Sequence, residues 1–421
     1  MVTRAATTID PISWAAKVPS PPVMSSSRHP PLLLLFTLQL GGLLSINLYA
    51  PSMPDIAHSL AATPASVQLT ITVFLIGFSL AQLIYGPLSD RYGRRPVLFV
   101  GLAIYLAANL ASMLAPTIDA LLAFRVVQGV GACAGGVLLR AIVRDLYERD
   151  QAVRVMGLLA IAAGLTTTLA PALGGFLATF GWRMNFAFLA LVSLIPYMVA
   201  WFWLPETNKY RGTQAFDLGA VLRNYGILLR SPSFMGYTLI VASVNAWFFA
   251  FIAASPFLLI DRLDQPQWAY GFYILVHTGG YWLGAAFASR FGTRIGIDRM
   301  IGIGVAATTA GFAVMWGLAV AGEFTVAAII APMLITGFTS GLCFPPGQAS
   351  AVSAYPSIAG TASGLLGLFQ MGFGALTSYL ASLFVHHDQV AITSMMLLLS
   401  TLALPAYALV KFDQRRRRSA S

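Results

Sequence analysis

The chain has 421 residues, of which 57% are hydrophobic and only 10% are charged. A typical soluble domain carries about 25% charged residues, so this composition excludes an ordinary water-soluble globule. The net charge of +10 would suit a nucleic-acid-binding protein, but the basic residues are spread over alternate loops, and we expect no nucleic-acid partner. Cys133 and Cys343 both lie inside apolar runs, which indicates neither a disulfide framework nor a zinc site.

The first 30 residues are rich in Pro, Ser and Thr and contain no apolar core. Such a segment cannot bury enough apolar surface to fold, and it lacks the hydrophobic region of a signal peptide. We therefore predict that residues 1–30 form a disordered cytoplasmic tail. Met24, just before the first apolar run, is an alternative start of the protein.

A series of apolar runs follows, each long enough to cross about 30 Å of hydrocarbon as a helix. Gly and Pro inside these runs do not argue against helix, since both are commoner in membrane helices than in soluble ones. The sequence therefore predicts an all-α membrane protein with twelve transmembrane helices. Their predicted bounds are Leu32–Tyr49, Val67–Tyr85, Val97–Leu114, Leu121–Leu139, Val155–Ala178, Asn185–Leu204, Phe234–Leu259, Tyr270–Ala288, Met300–Ala321, Val326–Phe344, Thr361–Phe384 and Ile392–Val410.

The longest polar internal segment divides the predicted helices into six and six. A weak internal repeat supports this division, because R-Y-G-R at 91–94 follows the second predicted helix and R-F-G-T-R at 290–294 follows the eighth. A chance coincidence is the alternative. We predict two pseudo-symmetric six-helix bundles. The predicted domains after the tail are a first bundle over 31–204, a cytoplasmic loop over 205–233, a second bundle over 234–411 and a basic cytoplasmic tail over 412–421.

The basic residues follow the positive-inside pattern, in which short loops rich in Lys and Arg stay in the cytoplasm. Clusters of basic residues alternate with loops that carry little more than Arg183 and Arg262. This alternation predicts that both termini lie in the cytoplasm. The final run Arg415–Arg418 either anchors this topology or contacts anionic lipid.

A polar segment between the second and third predicted helices, G-P-L-S-D-R-Y-G-R-R, combines two glycines with one acid and three arginines. The glycines permit tight turns and close backbone approach, and the acid can pair with the arginines or cap a helix N-terminus. Such a cluster can hold the two halves together on the cytoplasmic side in one state and release them in another; alternatively, the arginines only set topology. The predicted gating loop comprises Gly86, Asp90, Arg91, Gly93, Arg94 and Arg95.

Two polar residues, Arg125 and Gln128, lie within the fourth predicted helix in the pattern R-x-x-Q-G-x-G. A cation inside an apolar segment is costly unless it faces a polar cavity or finds a partner. One interpretation is therefore a functional charge inside the bundle. The alternative is that Arg125 reaches the outer membrane face from the helix end, with Asp119 as its partner.

The fifth predicted helix carries one proline and several glycines in a pattern typical of a bent, closely packed membrane helix. Pro171 frees a backbone carbonyl and favours a kink. Gly164, Gly174 and Gly175 permit a second helix to approach closely.

Taken together, these motifs resemble the major facilitator superfamily of transporters. In that superfamily the segment over 86–95 corresponds to part of the gate, the arginine at 125 is associated with proton transfer or conformational coupling, and the fifth-helix element is shared by exporters, here with Ala170 in place of the usual glycine. The stretches at 48–56, 181–183 and 356–364 are similar to the bacterial Bcr/CflA drug-resistance branch. The resemblance covers nearly all of the chain outside the tail.

The resemblance implies a multi-pass transporter of the bacterial inner membrane that exports small amphipathic compounds by alternating access. It implies a proton gradient as driving force and no other cofactor. The expected partners are a small-molecule substrate and the lipid bilayer, and the protein is expected to function as a monomer. The sequence shows no metal-ligand cluster, nucleophile elbow or phosphate-binding glycine loop, so we expect no enzyme.

One position departs from the branch, whose first helix normally carries D-x-Y-x-P; here the acid is replaced by Asn47. An amide can bind substrate, but it cannot carry a proton near neutral pH. His277 is the best remaining titratable residue, although a structural histidine is the alternative. Coupling is then either rewired through Arg125 and His277 or lost. Loss would leave facilitated or differently coupled transport of a specific metabolite, or a ligand sensor that does not transport.

Aromatic and amide side chains of the first, seventh and eighth predicted helices suit amphipathic organic molecules, because rings bury apolar surface with little directional demand. The alternative is that about half of these aromatic residues face lipid or the membrane interface. The lack of carboxylates favours neutral or zwitterionic compounds. The candidate cavity residues are Asn47, Tyr49, Asn245, Trp247, Phe248 and Tyr273.

Overall fold

The computed structural model describes residues 32–208, 218–355, 358–384 and 389–420. The predicted tail over residues 1–30 lies outside the described residues, as does part of the predicted cytoplasmic loop. Within the described ranges every regular element is a helix. This result agrees with the bilayer's demand that each backbone polar group be satisfied within its own segment.

The first half contains seven helices. The first membrane segment is broken, since α1 passes through a short 3₁₀ turn, Ala50–Ser52, into α2. Pro51 and Pro54 lie at this break, where they remove backbone donors from the helix. The bounds are α1 Leu32–Asn47, α2 Met53–Ser59, α3 Pro64–Tyr92, α4 Arg94–Met113, α5 Ile118–Leu146, α6 Arg149–Ala178 and α7 Arg183–Trp203.

The second half is preceded by α8, which lies within the predicted loop over 205–233 and makes part of that loop helical. A π-helical turn, Phe257–Arg262, extends α9, and the last membrane segment is broken at Leu402. The bounds are α8 Leu218–Leu229, α9 Pro232–Pro256, α10 Gln267–Ile295, α11 Ile297–Val320, α12 Val326–Ser353, α13 Ala359–Phe384, α14 Gln389–Thr401 and α15 Ala403–Ala420.

Eleven helical segments of the described residues are long and apolar enough to cross a membrane. The predicted eighth span corresponds to α10, which is more polar but has 29 residues. At about 1.5 Å per residue this helix exceeds the thickness of the hydrocarbon layer, and it packs along α6 and α12. The prediction of an all-α membrane fold is confirmed.

The helices extend beyond their predicted bounds, and the predicted gating loop is not a loop. Helix α3 continues to Tyr92 and α4 starts at Arg94, so that only Gly93 separates them. Gly86, Asp90 and Arg91 therefore lie on a helix, and Gly86 faces open space rather than a close backbone neighbour. The apolar pattern ends before the helix does, because the last turns of α3 carry charged residues, of which arginine is a good helix former in water.

The two halves repeat one another in structure. Helices α3 and α10 both have 29 residues, and each ends at a glycine with positive φ, +101° at Gly93 and +92° at Gly296. Each glycine also precedes the next helix directly, in a conformation that other residues adopt only with strain. Aligning the two sequence motifs would pair Gly93 with Gly292. In the structure, however, the counterpart of Gly93 is Gly296, and Gly292 lies inside α10.

Helices α5 and α12 correspond in the same way. A threonine caps each of them, because Thr117 and Thr325 accept hydrogen bonds from the backbone N–H groups three residues later, at 3.3 and 3.1 Å. Such caps satisfy backbone donors that the first helical turn leaves free. Counting from these caps, the position of Arg125 in the first half matches that of Met333 in the second.

The packing of these helices confirms the correspondence. A Cβ atom at Gly129 of α5 would lie 2.1 Å from the carbonyl oxygen of Phe74 on α3. A Cβ atom at Gly337 of α12 would lie 2.2 Å from the carbonyl oxygen of His277 on α10. In both halves the missing side chain lets two membrane helices touch through their backbones.

The halves meet along two helix pairs, α3 with α13 and α6 with α10. In the first pair the hydroxyl of Ser79 donates to the carbonyl oxygen of Leu368 at 3.4 Å. This contact joins a small side chain of one half to a backbone group of the other, which suits helices that slide or rock against one another.

The second pair uses glycines that the sequence singles out. A Cβ atom at Gly175 would lie 2.4 Å from the carbonyl oxygen of Gln267, and one at Gly164 would overlap the Trp282 ring. Gly174 instead faces the first membrane segment, at the carbonyl oxygen of Leu48, and Pro171 lies inside α6.

Candidate functional site

Arg125 lies on α5 inside the first half, with a fully buried side chain. Its Nη1 donates to the carbonyl oxygen of Ser45 at 3.0 Å and to Oε1 of Gln128 at 2.6 Å, and its Nε lies 3.4 Å from the carbonyl oxygen of Thr70. Burial excludes the interpretation in which Arg125 reaches the membrane face. Asp119, its suggested partner, is exposed in the first turn of α5.

Two aromatic rings complete the environment of this cation. The guanidinium carbon lies 4.5 Å from the ring centroid of Tyr49 and 4.7 Å from that of Phe74, distances at which the ring quadrupole attracts a cation. The Tyr49 hydroxyl shares a 2.7 Å hydrogen bond with Oγ1 of Thr70. Nη2 of Arg125 has no hydrogen-bond partner among the described residues. Dipoles and rings, rather than a carboxylate, therefore stabilise this charge.

The polar network extends from Arg125 to α4. Nε2 of Gln128 donates to Oδ1 of Asn109 at 2.5 Å, and Nδ2 of Asn109 donates to the carbonyl oxygen of Tyr105 at 2.9 Å. The Tyr105 hydroxyl closes the network at 2.6 Å from Oγ of Ser45. Asn109 and Tyr105 are not among the site residues predicted from the sequence, although an amide inside the third predicted helix is a signal of the same kind as Arg125.

His277 occupies the corresponding region of the second half and is only 5% exposed. Its Nδ1 lies 3.1 Å from the carbonyl oxygen of Met333 on α12. Because a carbonyl only accepts, Nδ1 is the donor in the neutral ring and Nε2 carries the free lone pair. The ring stacks on Phe248 at 5.4 Å and meets the edge of Trp247 at 5.3 Å. This geometry is the one expected of the structural alternative, in which His277 links helices α10 and α12 by a hydrogen bond.

The charged cluster at the α3–α4 turn is held together by Arg94. Its Nη1 lies 2.6 Å from Oδ1 of Asp90, and its Nε lies 3.0 Å from Oδ2 of Asp145 on α5. Asp90 thus pairs with one of the predicted arginines, while Arg91 lies against the Tyr92 ring at 5.3 Å. These contacts tie α3 and α4 to α5, and all of these helices belong to the first half.

The N-terminus of α4 is capped by Glu206, which is not among the site residues predicted from the sequence. The Glu206 carboxylate accepts hydrogen bonds from the backbone N–H groups of Arg94 at 2.9 Å and Arg95 at 3.2 Å. Glu206 follows α7, so this cap also lies within the first half. In this structure the described contacts of the cluster brace that half internally, and a clamp between the halves remains a prediction for another state.

Residues 35–378 of the chain match the Major Facilitator Superfamily. The chain belongs to this superfamily. It is therefore a multi-pass membrane transporter with a small-molecule substrate and is not an enzyme.

Relatives of this superfamily member place it more closely. It is 31% identical over 364 residues to the Multidrug resistance protein D of Escherichia coli (strain K12), covering 86% of this chain and 91% of that protein. It is 30% identical over 336 residues to the Chloramphenicol resistance protein of Pseudomonas aeruginosa, covering 78% of each. These relatives confirm the predicted resemblance to the Bcr/CflA drug-resistance branch. The crystal structure of a D-xylose-proton symporter superposes with a TM-score of 0.71 at 15% identity, over 88% of this chain and 96% of that one, which confirms the fold.

The candidate cavity residues of the transporter do not form one cluster. Tyr49 and Trp247 are 0% and 1% exposed and pack inside the first and second halves, where Trp247 meets Phe312 of α11 at 4.8 Å. Their rings fill the interior of each half because large apolar surfaces gain most from burial. Asn47 is also buried; its Nδ2 donates to the carbonyl oxygen of Leu43 at 2.9 Å, while its Oδ1 has no partner among the described residues.

The remaining candidates are more accessible. Asn245, Phe248 and Tyr273 are half-buried in the second half, and the Tyr273 hydroxyl donates to Oε1 of Gln265 at 2.6 Å. These three residues keep the exposure that contact with a substrate requires, whereas Tyr49 and Trp247 would first have to leave their packing.

Proposed function

We propose that this transporter exports small amphipathic compounds, of the kind named in its relatives, from the cytoplasm across a bacterial inner membrane by alternating access. The observation that carries the proposal is Arg125. A fully buried cation whose described contacts are all neutral is costly to retain in a membrane helix and marks a transport pathway.

Alternating access requires two halves that can move against each other. At the interface of α6 and α10, Gly175 faces the backbone oxygen of Gln267 and Gly164 faces the side-chain ring of Trp282. Contacts of this kind are short-ranged and non-directional, so rocking replaces them at little cost. The cytoplasmic placement of both termini and action as a monomer belong to the same proposal.

Proton coupling in this proposal uses Arg125 and His277 together. Nε2 of His277 is free to accept a proton because Nδ1 is engaged by the Met333 carbonyl. Protonation would place a cation in the second half to match the permanent cation in the first. Substrate release and protonation would then alternate.

Facilitated or differently coupled transport is the second candidate. It is favoured by Asn47, which stands where the branch has an acid and cannot titrate. A ligand sensor without turnover would share this feature.

Transport of labelled chloramphenicol into proteoliposomes, with and without an acidic interior, tests these alternatives. We expect gradient-driven uptake by the purified protein, loss of the gradient's effect in His277→Gln, and an unchanged response in the control variant His58→Gln, whose histidine is exposed on α2. Undiminished gradient-driven uptake by His277→Gln would remove the histidine from the pathway. Wild-type flux that ignores the gradient would establish facilitated transport, and binding without flux would establish a sensor.

A further inference from the structure

The membrane-spanning part of the described chain carries cations without matching acids. Arg125 and Arg140 lie inside α5. The described acids lie instead in connections, near helix ends, or in the basic extension of α15. They are Asp55, Asp90, Asp119, Asp145, Glu148, Asp150, Glu206, Asp261, Asp264, Asp298, Glu323 and Asp413.

Arg140 lies beside a local opening in the packing around α5. The predicted fourth helix ends before it, but α5 continues past it to Leu146. The Arg140 side chain is exposed, as is that of Arg144 one turn later, whereas Cys133, seven residues before Arg140 on the same face, and Val143 are 0% and 2% exposed. One turn earlier, a Cβ atom at Gly136 would meet nothing within 4 Å. The exposed face of α5 therefore ends between Arg140 and Cys133, and Arg140 lies at the inner end of a crevice beside the helix.

The crevice lies on the functional side of α5. The fifteen residues from Arg125 to Arg140 bring the two side chains to within about 60° of one another around the helix. The Arg125 side of α5 faces α1 and α3, through Ser45 and Thr70. Arg140 makes no hydrogen bond or ion pair with any residue in the described part of the chain. A guanidinium in this position is available to a ligand.

We propose that Arg140 binds the anionic group of those exported compounds that combine a carboxylate or a similar anion with an apolar body. This inference rests on the proposed export function and names its substrate class. A guanidinium matches a carboxylate with two parallel hydrogen bonds, and a crevice with low dielectric strengthens the attraction.

The first test measures the charge of the crevice without a substrate. In a Cys133→Ser/Cys343→Ser background, Gly136→Cys places a thiol beside Arg140, and its modification rates with anionic sulfonatoethyl and cationic trimethylammonioethyl methanethiosulfonate are compared. We expect Arg140→Gln to lower the anionic-to-cationic rate ratio about tenfold. The matched variant Arg144→Gln removes an equal charge one turn later, from a side chain that is 67% exposed, and should change the ratio by less than about twofold. Equal changes in both variants, or a thiol that reacts with neither reagent, would overturn the site.

The second test measures ligand choice with the probe 7-diethylaminocoumarin-3-carboxylate and its uncharged ethyl ester. We expect purified protein in nanodiscs to bind the carboxylate about tenfold more tightly than the ester, and Arg140→Gln to abolish this preference. Arg140→Lys should retain part of it, since the charge remains without the planar fork. Equal affinity for both probes in the wild type, or equal losses for both in Arg140→Gln, would overturn the proposal.

The two proposals fail in different ways. If proteoliposomes export chloramphenicol but the protein shows no preference for the carboxylate probe, the anion site is wrong and the export function stands. If no compound is transported, the export function is wrong, while the rate ratio at Gly136→Cys still reports whether Arg140 sets the charge of the crevice.

Discussion

Arg125 in the first half and Met333 in the second occupy equivalent positions, at the same number of residues after the threonine that caps each helix. Around Arg125 the described contacts are hydrogen bonds to an amide and to carbonyls, together with the rings of Tyr49 and Phe74. Around Met333 they are a histidine and, through it, a cluster of aromatic rings. The same helical frame therefore encloses a charged polar core in one half and a mainly aromatic core in the other.

The frame is conserved between the halves because it depends on missing side chains. Gly129 against Phe74 and Gly337 against His277 bring the helix backbones together in the same way. Such contacts constrain the backbone but leave neighbouring positions free to carry any chemistry. A permanent charge in one half and a titratable ring in the other can therefore diverge without altering the fold.

The variant Arg125→Met, which gives the first half the residue of the second, should have the largest effect. It removes the donor from the Gln128 amide oxygen and from the Ser45 carbonyl, and it removes the charge on which the proposed coupling depends. We expect transport to fall at least about 100-fold, a loss of roughly 3 kcal/mol of transition-state stabilisation. Efflux from cells with matched protein levels measures it.

Two further variants show whether geometry or charge alone matters at this position. Arg125→Lys should remain nearly inactive, because an ammonium cannot reach three acceptors while lying against two rings. Met333→Leu in the other half should change transport less than about twofold, since it conserves volume and polarity. Activity in Arg125→Lys would show that charge suffices, and activity in Arg125→Met would remove the residue from the mechanism.

Alanine substitutions at Gly129 and Gly337 test whether the two halves share one frame. In each case the new methyl group would overlap a backbone oxygen, so that the helices must separate at a cost of about 1–3 kcal/mol. We expect similar decreases in thermal stability, measured by unfolding of the purified protein in detergent. As a control, Gly279→Ala meets nothing within 4 Å and should be neutral or stabilising by about 0.5–1 kcal/mol. A large difference between the two halves would contradict a shared frame.

Much of the fold could be predicted from the sequence, because a helix that crosses lipid needs a long run of apolar residues. The helix ends could not be predicted in this way. Helix α3 continues through Asp90 and Arg91 to Tyr92, although the apolar pattern has already stopped, because charged side chains are stable in water. The sequence also could not show which glycine of the second half corresponds to Gly93. Gly292 and Gly296 look alike in the sequence, and only the positive φ of Gly296 identifies it as the counterpart of Gly93.

The candidate site was predictable where a single residue conflicts with its surroundings, as Arg125 does in an apolar helix. Glu206 was not, because its role as a cap depends on the approach of the segment after α7 to the start of α4. Trp247 was assigned to the cavity on residue type alone. Packing against Phe312 is a tertiary fact, and an aromatic residue in a membrane helix suits either environment.

The variant Glu206→Gln tests the smallest difference between the halves, which concerns the acid at the N-terminus of α4 in the first half and of α11 in the second. In the first half, Glu206 accepts hydrogen bonds from the first N–H groups of α4, where the helix dipole favours a negative charge. The amide can still accept a hydrogen bond, so we expect a loss of only about 0.3–1 kcal/mol at low salt, seen as a small decrease in unfolding temperature.

Salt should separate this effect from its counterpart in the second half. There, Asp298 lies in the first turn of α11 and accepts hydrogen bonds from the Tyr237 hydroxyl at 2.5 Å and from Nε2 of Gln414 at 2.8 Å. Screening at about 1 M salt weakens an exposed charge–dipole interaction but has less influence on short hydrogen bonds. The stability difference caused by Glu206→Gln should therefore shrink in salt, while that caused by Asp298→Asn should persist. An equal response to salt would mean that both acids act by charge alone. The two helix N-termini would then differ in where the acid lies in the chain, but not in the interaction by which it stabilises the helix.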